Sequence, residues 1–358
     1  MGVAGTEASL WWGLLGIVGA GLGLWGRRLG AQIPGAIGML CGAFAVVVSL
    51  IPLLESLPVA TQNGVTLSIS RFFLGEGQSP TAAPETVTYS DVGAQGLQMD
   101  VYRAAETATA QLVPAIVVVH GGSWNAGNKS DFAHWNHWLS RQGFTVFDIQ
   151  YRLAPQPNWR EATGDVKTAV AWVKRHAAHY NVDPHRLALL GRSAGGHLAL
   201  LAAYTPNDPA LPPGDHSDAN TRVRAVISLY GPTDLTWGYN NPAHPDVVNG
   251  PRTLRRFLGG DPASLPDIYT EASPISHVGA QTPPTLLFHG ERDLLVGPQH
   301  ARRLSAKLTA AHAAFQAVYI PYALHGFDFD INGWGSQIEQ PVLLAFLRRY
   351  TASRQGQK

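Results

Sequence analysis

Leu187-Ala188-Leu189-Leu190-Gly191-Arg192-Ser193-Ala194-Gly195-Gly196 is the stretch whose reading decides the fold. Leu187–Leu190 is an uninterrupted apolar run, the mark of a strand buried on both faces, and Gly196–Ala203 carries a helical pattern directly after it. A strand that feeds a helix through Gly-x-Ser-x-Gly turns sharply, holds the serine in a strained backbone conformation and projects its hydroxyl beyond the end of the sheet. Glycine is needed on both sides because a Cβ would clash in so tight a turn. The pentapeptide alone arises by chance in many chains, so its surroundings have to decide.

Outward from it, strand and helix signals alternate. Glu85–Ser90 and Leu97–Arg103 read as an antiparallel pair, and Ala115–Val119 is a continuous apolar run. Val146–Gln150, Ala225–Leu229, Thr285–Phe288 and Gln316–Ile320 are further short strands, with helical patterns such as Asp165–His176 between them. The order predicts an α/β fold with a mostly parallel central sheet and helices on both faces. Ligands of such sheets bind beyond the carboxyl ends of the strands, and the chemistry-bearing motifs all fall there.

Ser193 needs a base, because a serine hydroxyl is a poor nucleophile at neutral pH. His325, in Tyr322-Ala323-Leu324-His325-Gly326-Phe327 after the last strand, is the candidate. One of its ring nitrogens accepts from serine while the other donates to a carboxylate. Asp293, three residues beyond Leu286-Leu287-Phe288-His289-Gly290, is the candidate orienting acid; Asp234, Asp328 and Asp330 compete, the last two lying too close in sequence to His325. The order Ser, Asp, His is that of α/β-hydrolases. His134 with His137, and His176 with His179, are spaced three apart, but no Cys or acidic cluster completes a metal set, so no metal or organic cofactor is expected.

His120-Gly121-Gly122-Ser123-Trp124 ends the Ala115–Val119 strand, and its glycines let backbone N–H groups turn toward an oxyanion, joined by the N–H of Ala194. With Tyr151-Arg152-Leu153-Ala154-Pro155, the serine turn, Gly290-x-x-Asp293 and His325-Gly326, the chain from about Tyr89 to Tyr350 resembles the α/β-hydrolase superfamily. Within it, the chain is similar to carboxylesterases related to hormone-sensitive lipase and the bacterial feruloyl-esterase-like hydrolases. The resemblance implies the α/β-hydrolase fold and ester hydrolysis through an acyl-enzyme. It also implies oxyanion donors at Gly122, Ser123 and Ala194, and a substrate-binding role for Trp124. Ser123 stands where hormone-sensitive-lipase-like enzymes commonly carry a third glycine, and the H-G-G-x-W variant also occurs in kynurenine formamidases. An amidase, formamidase or peptidase with the same triad is therefore the alternative, and a non-catalytic binding module a lesser one. The acyl pocket is expected from loops around Asn125–Trp138 and Thr236–Leu258, with Trp135, Trp138 and Trp237 either lining it or packed in the core.

Before this domain lie two uncharged apolar runs, about 10–25 and 33–54. Both look like membrane spans; the second matches the roughly 20 residues a helix needs to cross a bilayer, and the first is shorter. Trp11, Trp12 and Trp25 flank the glycine-rich first run, which suits a helical hairpin in lipid. Arg27 and Arg28 in the connection place it in the cytoplasm and everything after Glu55 on the extracytoplasmic side. The absence of a basic leading segment argues against a cleaved signal. The predicted organisation is a transmembrane anchor at 1–55, a linker at 56–84, a hydrolase domain at 85–352 and a tail at 353–358. Expected partners are a small-molecule or lipid ester and the membrane. Nucleic acid is excluded, since 26 basic against 25 acidic residues leave a net charge of +1 and no basic run. The single cysteine, Cys41, excludes a disulfide framework.

Overall fold

The computed structural model describes residues 6–75, 82–92, 96–105, 111–154, 157–214, 220–244 and 246–353. Among them, eight strands form one sheet in the order β1-β2-β4-β3-β5-β6-β7-β8. These are β1 (Glu85–Ser90), β2 (Leu97–Tyr102), β3 (Val113–Val119), β4 (Thr145–Ile149), β5 (Val182–Arg192), β6 (Ala225–Leu229), β7 (Thr285–Gly290) and β8 (Phe315–Ile320). β1 and β2 pair antiparallel, as does β2 with β4, while β4, β3, β5, β6 and β7 run parallel in sequence of pairing. Every strand expected from the sequence is present. The parallel strands are mostly apolar where both faces are covered, and β6 is buried at all its positions.

The chain divides into two compact units, one comprising 1–77, 290–292 and 319–341, the other 78–289, 293–318 and 342–358. The larger unit holds most of the sheet and its covering helices. Helix α5 (Trp159–Arg175) buries Ala162, Val166, Ala169, Val170 and Val173, a stripe at helical spacing, and carries Glu161 in its first turn and Lys174 and Arg175 in its last. Helix α6 (Ala194–Tyr204) is buried at every residue, so its apolar sequence shows no amphipathic stripe. It packs on β5 and β6 and carries the turn quoted above at its start. Helix α4 (Ala133–Arg141) follows the glycine loop after β3. Pro155, the last residue of the motif that begins at Tyr151, lies outside the described residues.

In the smaller unit, α1 (Ser9–Arg28) and α2 (Gln32–Gln62) form a hairpin through a short turn with Gly30 at φ 98°. They overrun the predicted spans; 31 residues make α2 about 46 Å long. The hairpin is inside-out relative to a helix pair in water. Gly13, Gly16, Gly23, Gly35, Gly42 and Ser49 are buried, whereas Leu15, Ile17, Leu22, Ile33, Leu40 and Phe44 are exposed. A Cβ on Gly42 would stand 2.4 Å from Gly16 O, and one on Gly23 2.6 Å from Gly35 O, so the two backbones touch.

The predicted linker has more structure than its composition suggests. It starts within α2, and Ser68 Oγ accepts from Arg71 N to cap helix α3 (Ile69–Leu74). The apolar Phe72 of that helix stacks on Trp334, at the start of α11 (Trp334–Tyr350), with ring centroids 4.5 Å apart. Leu10, Leu53, Leu67 and Phe73 close the same cluster. Residues 76–81 of the linker and 354–358 of the tail lie outside the described residues.

Candidate active site

Ser193 occupies the bend between β5 and α6 at φ 54°, ψ −119°, a region in which a residue with a side chain costs about 1–3 kcal/mol. Its neighbours show why the sequence reads as it does. A Cβ on Gly191 would lie 2.1 Å from Gly195 O, and one on Gly195 would lie 2.1 Å from Val119 O. The bend is held by Ser193 N donating to Leu229 O at 2.9 Å and by His197 N donating to Ser193 O at 3.1 Å. Ser193 is partly exposed while Arg192 and Ala194 on either side are buried, so the strain turns the hydroxyl-bearing residue outward.

The His120–Trp124 loop stands directly beside it. A Cβ on Gly121 would lie 3.3 Å from Ser193 Cβ and 3.1 Å from Arg192 O. Gly122 (φ 111°), Ser123 (φ 52°) and Trp124 (φ 60°) are three consecutive left-handed residues, a backbone that gathers successive N–H groups on one concave side. Two of them are not glycine, so the loop is held by outside contacts. His120 Nδ1 donates to Gly121 O at 2.7 Å, its ring stacks on Tyr151, and Tyr151 OH donates to His120 O. Ala154 N donates to Trp124 O at 2.8 Å.

Trp124 is turned inward. It is 5 % exposed, stacks on Phe257 at 4.4 Å, and its indole Nε1 donates to His197 Nδ1 at 3.2 Å. One ring face and the indole N–H are thus engaged within the domain, and these contacts hold the loop's backbone. His197 Nε2 in turn donates to Ala272 O at 2.8 Å, and burial pushes the imidazole down to about 4. The sequence reading gave His197 no role, although it sits four residues past Ser193 on the same helix. Trp135 and Trp138 also belong to the core, edge to face at 5.6 Å, and Trp237 packs edge-on to His300.

Asp293 follows β7. Its Oδ1 accepts from Leu295 N at 2.8 Å and Val296 N at 2.9 Å, and its Oδ2 lies 3.3 Å from His289 Nε2, which donates to Val296 O. The carboxylate is 4 % exposed and fixed in orientation. Its competitor Asp234 is occupied elsewhere: Oδ1 caps helix α7 (Leu235–Asn240) and Oδ2 accepts from Arg303. Nearby His300 accepts from Thr233 N at its Nδ1 and is driven to about 3 by burial, with His289 adding repulsion.

His325 belongs to the smaller unit. The chain there turns back on itself: Glu291 N donates to Ile320 O and Arg292 N to Ala323 O, both at 3.0 Å, and a Cβ on Gly290 would meet Ala323 O at 2.4 Å. Asp293 is the next residue after Arg292, and His325 the second after Ala323. Gly326 at φ 72° follows, then a 3₁₀ turn at Phe327–Phe329. Asp328 is buried and Asp330 Oδ1 accepts from Asn332 N, so Asp330 serves the turn that leads into α11.

A second buried polar group, with no signal in the sequence, lies on β4 opposite Val118 of β3. Asp148, on β4, is buried; its Oδ2 accepts from Ser130 N at 2.8 Å and Asn136 Nδ2 at 2.7 Å, and its Oδ1 has no hydrogen-bond partner among the described residues. Burial pushes it up to about 7 against the pull of those donors and of Arg192. Arg192 is itself 2 % exposed, its guanidinium 4.3 Å from the Phe132 ring centroid.

The BD-FAE family model matches residues 99–308 of this chain. Over 247 residues the chain is 36 % identical to the probable carboxylic ester hydrolase LipM of Mycobacterium tuberculosis, covering 68 % of this chain and 56 % of that protein. It is 35 % identical over 251 residues to the esterase LipQ of the same organism, covering 69 % and 58 %. The chain thus spans somewhat over half the length of these relatives. Among solved structures, the propionate-bound Est2 esterase of Thermogutta terrifontis aligns with a TM-score of 0.61 at 27 % identity, covering 74 % of this chain and 92 % of that one. The same esterase phosphonylated by sarin aligns with a TM-score of 0.64 at 25 % identity, covering 77 % and 99 %. With the serine bend, the glycine loop and Asp293 all inside the matched residues, the chain belongs to the BD-FAE family of α/β-hydrolases.

Proposed function

We propose that the chain is a serine carboxylesterase whose nucleophile is Ser193, base His325 and orienting acid Asp293. The observation that carries the reading is the strained, partly exposed Ser193 set against the left-handed Gly122–Trp124 backbone. Such strain persists only where the surrounding fold enforces it, and it aims a hydroxyl at a nest of N–H donors. His325 takes the Ser193 proton as Oγ bonds to the ester carbonyl carbon. The carbonyl oxygen becomes an oxyanion facing the N–H groups of Gly122, Ser123 and Ala194, each worth about 2.7–4 kcal/mol in the transition state. The C–O bond to the alcohol breaks and the alcohol leaves with the proton from His325. Water then gives a proton to His325 and its oxygen to the acyl carbon, and the acid departs as Ser193 recovers its proton. The relatives' names support an ester over an amide as substrate. Purified Ser193→Ala assayed on short p-nitrophenyl esters is expected to be inactive; retained turnover ends this reading.

The apolar helices form the second half of the proposal: α1 and α2 insert in a bilayer, with Arg27 and Arg28 on the cytoplasmic side and the hydrolase domain outside. Glycines within and bulky apolar side chains without support it. The substrate class is then an ester of a lipid or other apolar acid. Protease added to intact spheroplasts is expected to digest the domain, and protection of the domain there reverses the orientation.

A further inference from the structure

The anchor helices do more within their own unit than supply an apolar surface. Two separate parts of the first 75 residues, Glu7–Ser9 and Ser68–Phe72, converge on the stretch just after His325. Ser9 Oγ, at the start of α1, accepts from Trp334 Nε1 at 3.3 Å. Glu7 Oε2 accepts from Gly335 N at 3.3 Å. Beyond α2, Phe72 stacks on the Trp334 ring, Gln337 Oε1 accepts from Ser68 N at 2.7 Å, and Arg71 donates to Ile331 O at 3.3 Å. Trp334 is 1 % exposed, so this is a filled seat and not a surface touch.

The contacts continue to the histidine. A Cβ on Gly335 would lie 2.5 Å from Phe327 Cδ2, so the first turn of α11 presses on the Phe327 ring, which is fully buried. Phe327 stands two residues from His325, across Gly326. Phe72, Trp334, Gly335 and Phe327 therefore make an unbroken packed path from α3, just beyond the helical hairpin, to the loop that carries His325.

We propose that Trp334 is a positioning residue for the esterase reaction, seated on Phe72 and Ser9 so that the helical hairpin is a working part of the His325 loop and not a passive tether. This rests on His325 being the base. A loose seat lets the imidazole wander, and a displacement of about 1 Å at a catalytic group costs about 100-fold in rate. The loops expected to form the acyl pocket belong to the larger unit, so a change in kcat is expected without a matching change in KM.

The test uses the full chain in detergent or nanodiscs with p-nitrophenyl butyrate. Trp334→Ala is expected to lower kcat by about 10- to 100-fold with KM within about twofold, and Trp334→Phe, which keeps the stack on Phe72, to restore most of the rate. Phe72→Leu, which leaves Trp334 in place, is expected to give an intermediate loss and serves if Trp334→Ala does not fold. The proposal is overturned if the folded variants keep kcat within twofold of wild type, or if kcat and KM change in proportion. Such a result, with Ser193→Ala inactive, leaves the esterase reading intact; turnover by Ser193→Ala removes that reading instead.

Discussion

The indole N–H of Trp124 points at Nδ1 of His197, joining the loop beside the nucleophile to the helix that begins with it. Because His197 gives its other nitrogen to Ala272 O, the ring has one tautomer and no freedom to turn. His197→Phe keeps the ring volume but leaves the indole N–H and Ala272 O buried without partners, at about 1–3 kcal/mol each. A lower Tm and a lower kcat are expected together. An unchanged Tm shows that the bond holds nothing in place.

His197 and His300 set an acid limit. Both are buried and neutral in the folded chain, at about 4 and about 3, whereas an exposed histidine titrates near 6.5. As pH falls below about 6.5 the unfolded chain takes protons that the folded chain refuses, so stability drops until about pH 4 for His197 and about pH 3 for His300. For His197 the loss is on the order of 3 kcal/mol. Urea melts of wild type and His197→Phe at pH 7 and pH 4.5 check it: the variant's deficit is expected to shrink at the lower pH.

Asp148 works in the opposite sense. Its folded-state value near 7 lies above that of an exposed aspartate, so the contribution of its proton is full below about pH 4 and lost as pH rises to 7. Asp148→Asn removes the titration while keeping an oxygen for Ser130 N. Relative to wild type, the variant is expected to gain stability steadily between pH 4.5 and pH 7.5; a constant difference across that range contradicts the assignment.

Asp293→Asn is expected to lower kcat by about 10⁴-fold, since an amide stabilises the wrong histidine tautomer. Asp234→Ala should leave kcat near wild type and cost about 1 kcal/mol through the lost cap of α7. Were the two variants to exchange behaviour, the acid would be Asp234.

Gly191→Ala tests the bend itself. With Gly195 O only 2.1 Å from the new methyl, the turn has to open, a change beyond about 4 kcal/mol and of the kind that unfolds a domain. The expected outcome is little folded protein and no labelling of Ser193 by a fluorophosphonate; normal labelling means the turn has slack.

What the sequence made legible is whatever rests on local pattern. Continuous apolar runs marked β3 and the end of β5, short apolar stretches marked the other parallel strands, and the glycines around Ser193 announced their own crowding. Gly121 and Gly122 likewise signalled a loop able to turn its N–H groups, but Ser123 and Trp124 adopt a left-handed backbone beside Gly122, against their preference, held by the grip of Tyr151, Ala154 and His197. Trp124 was legible as part of the motif and not in its orientation, which Phe257 sets from 133 residues downstream. Asp148 stood inside an apolar strand with nothing to distinguish a buried acid from an edge residue. Helix α3 within the expected linker was not legible because Phe72 and Phe73 form too short an apolar patch to imply a helix until their partner, Trp334, is known.

The seam between α1 and α2 inverts the usual rule for which positions tolerate change. On the outward face any bulky apolar residue serves, whereas at Gly16, Gly23, Gly35 and Gly42 even one methyl group collides with the opposing main chain. Alanine there, ordinarily the mildest of replacements, pries the rods apart, and leucine at Trp25 or Phe44 passes unnoticed.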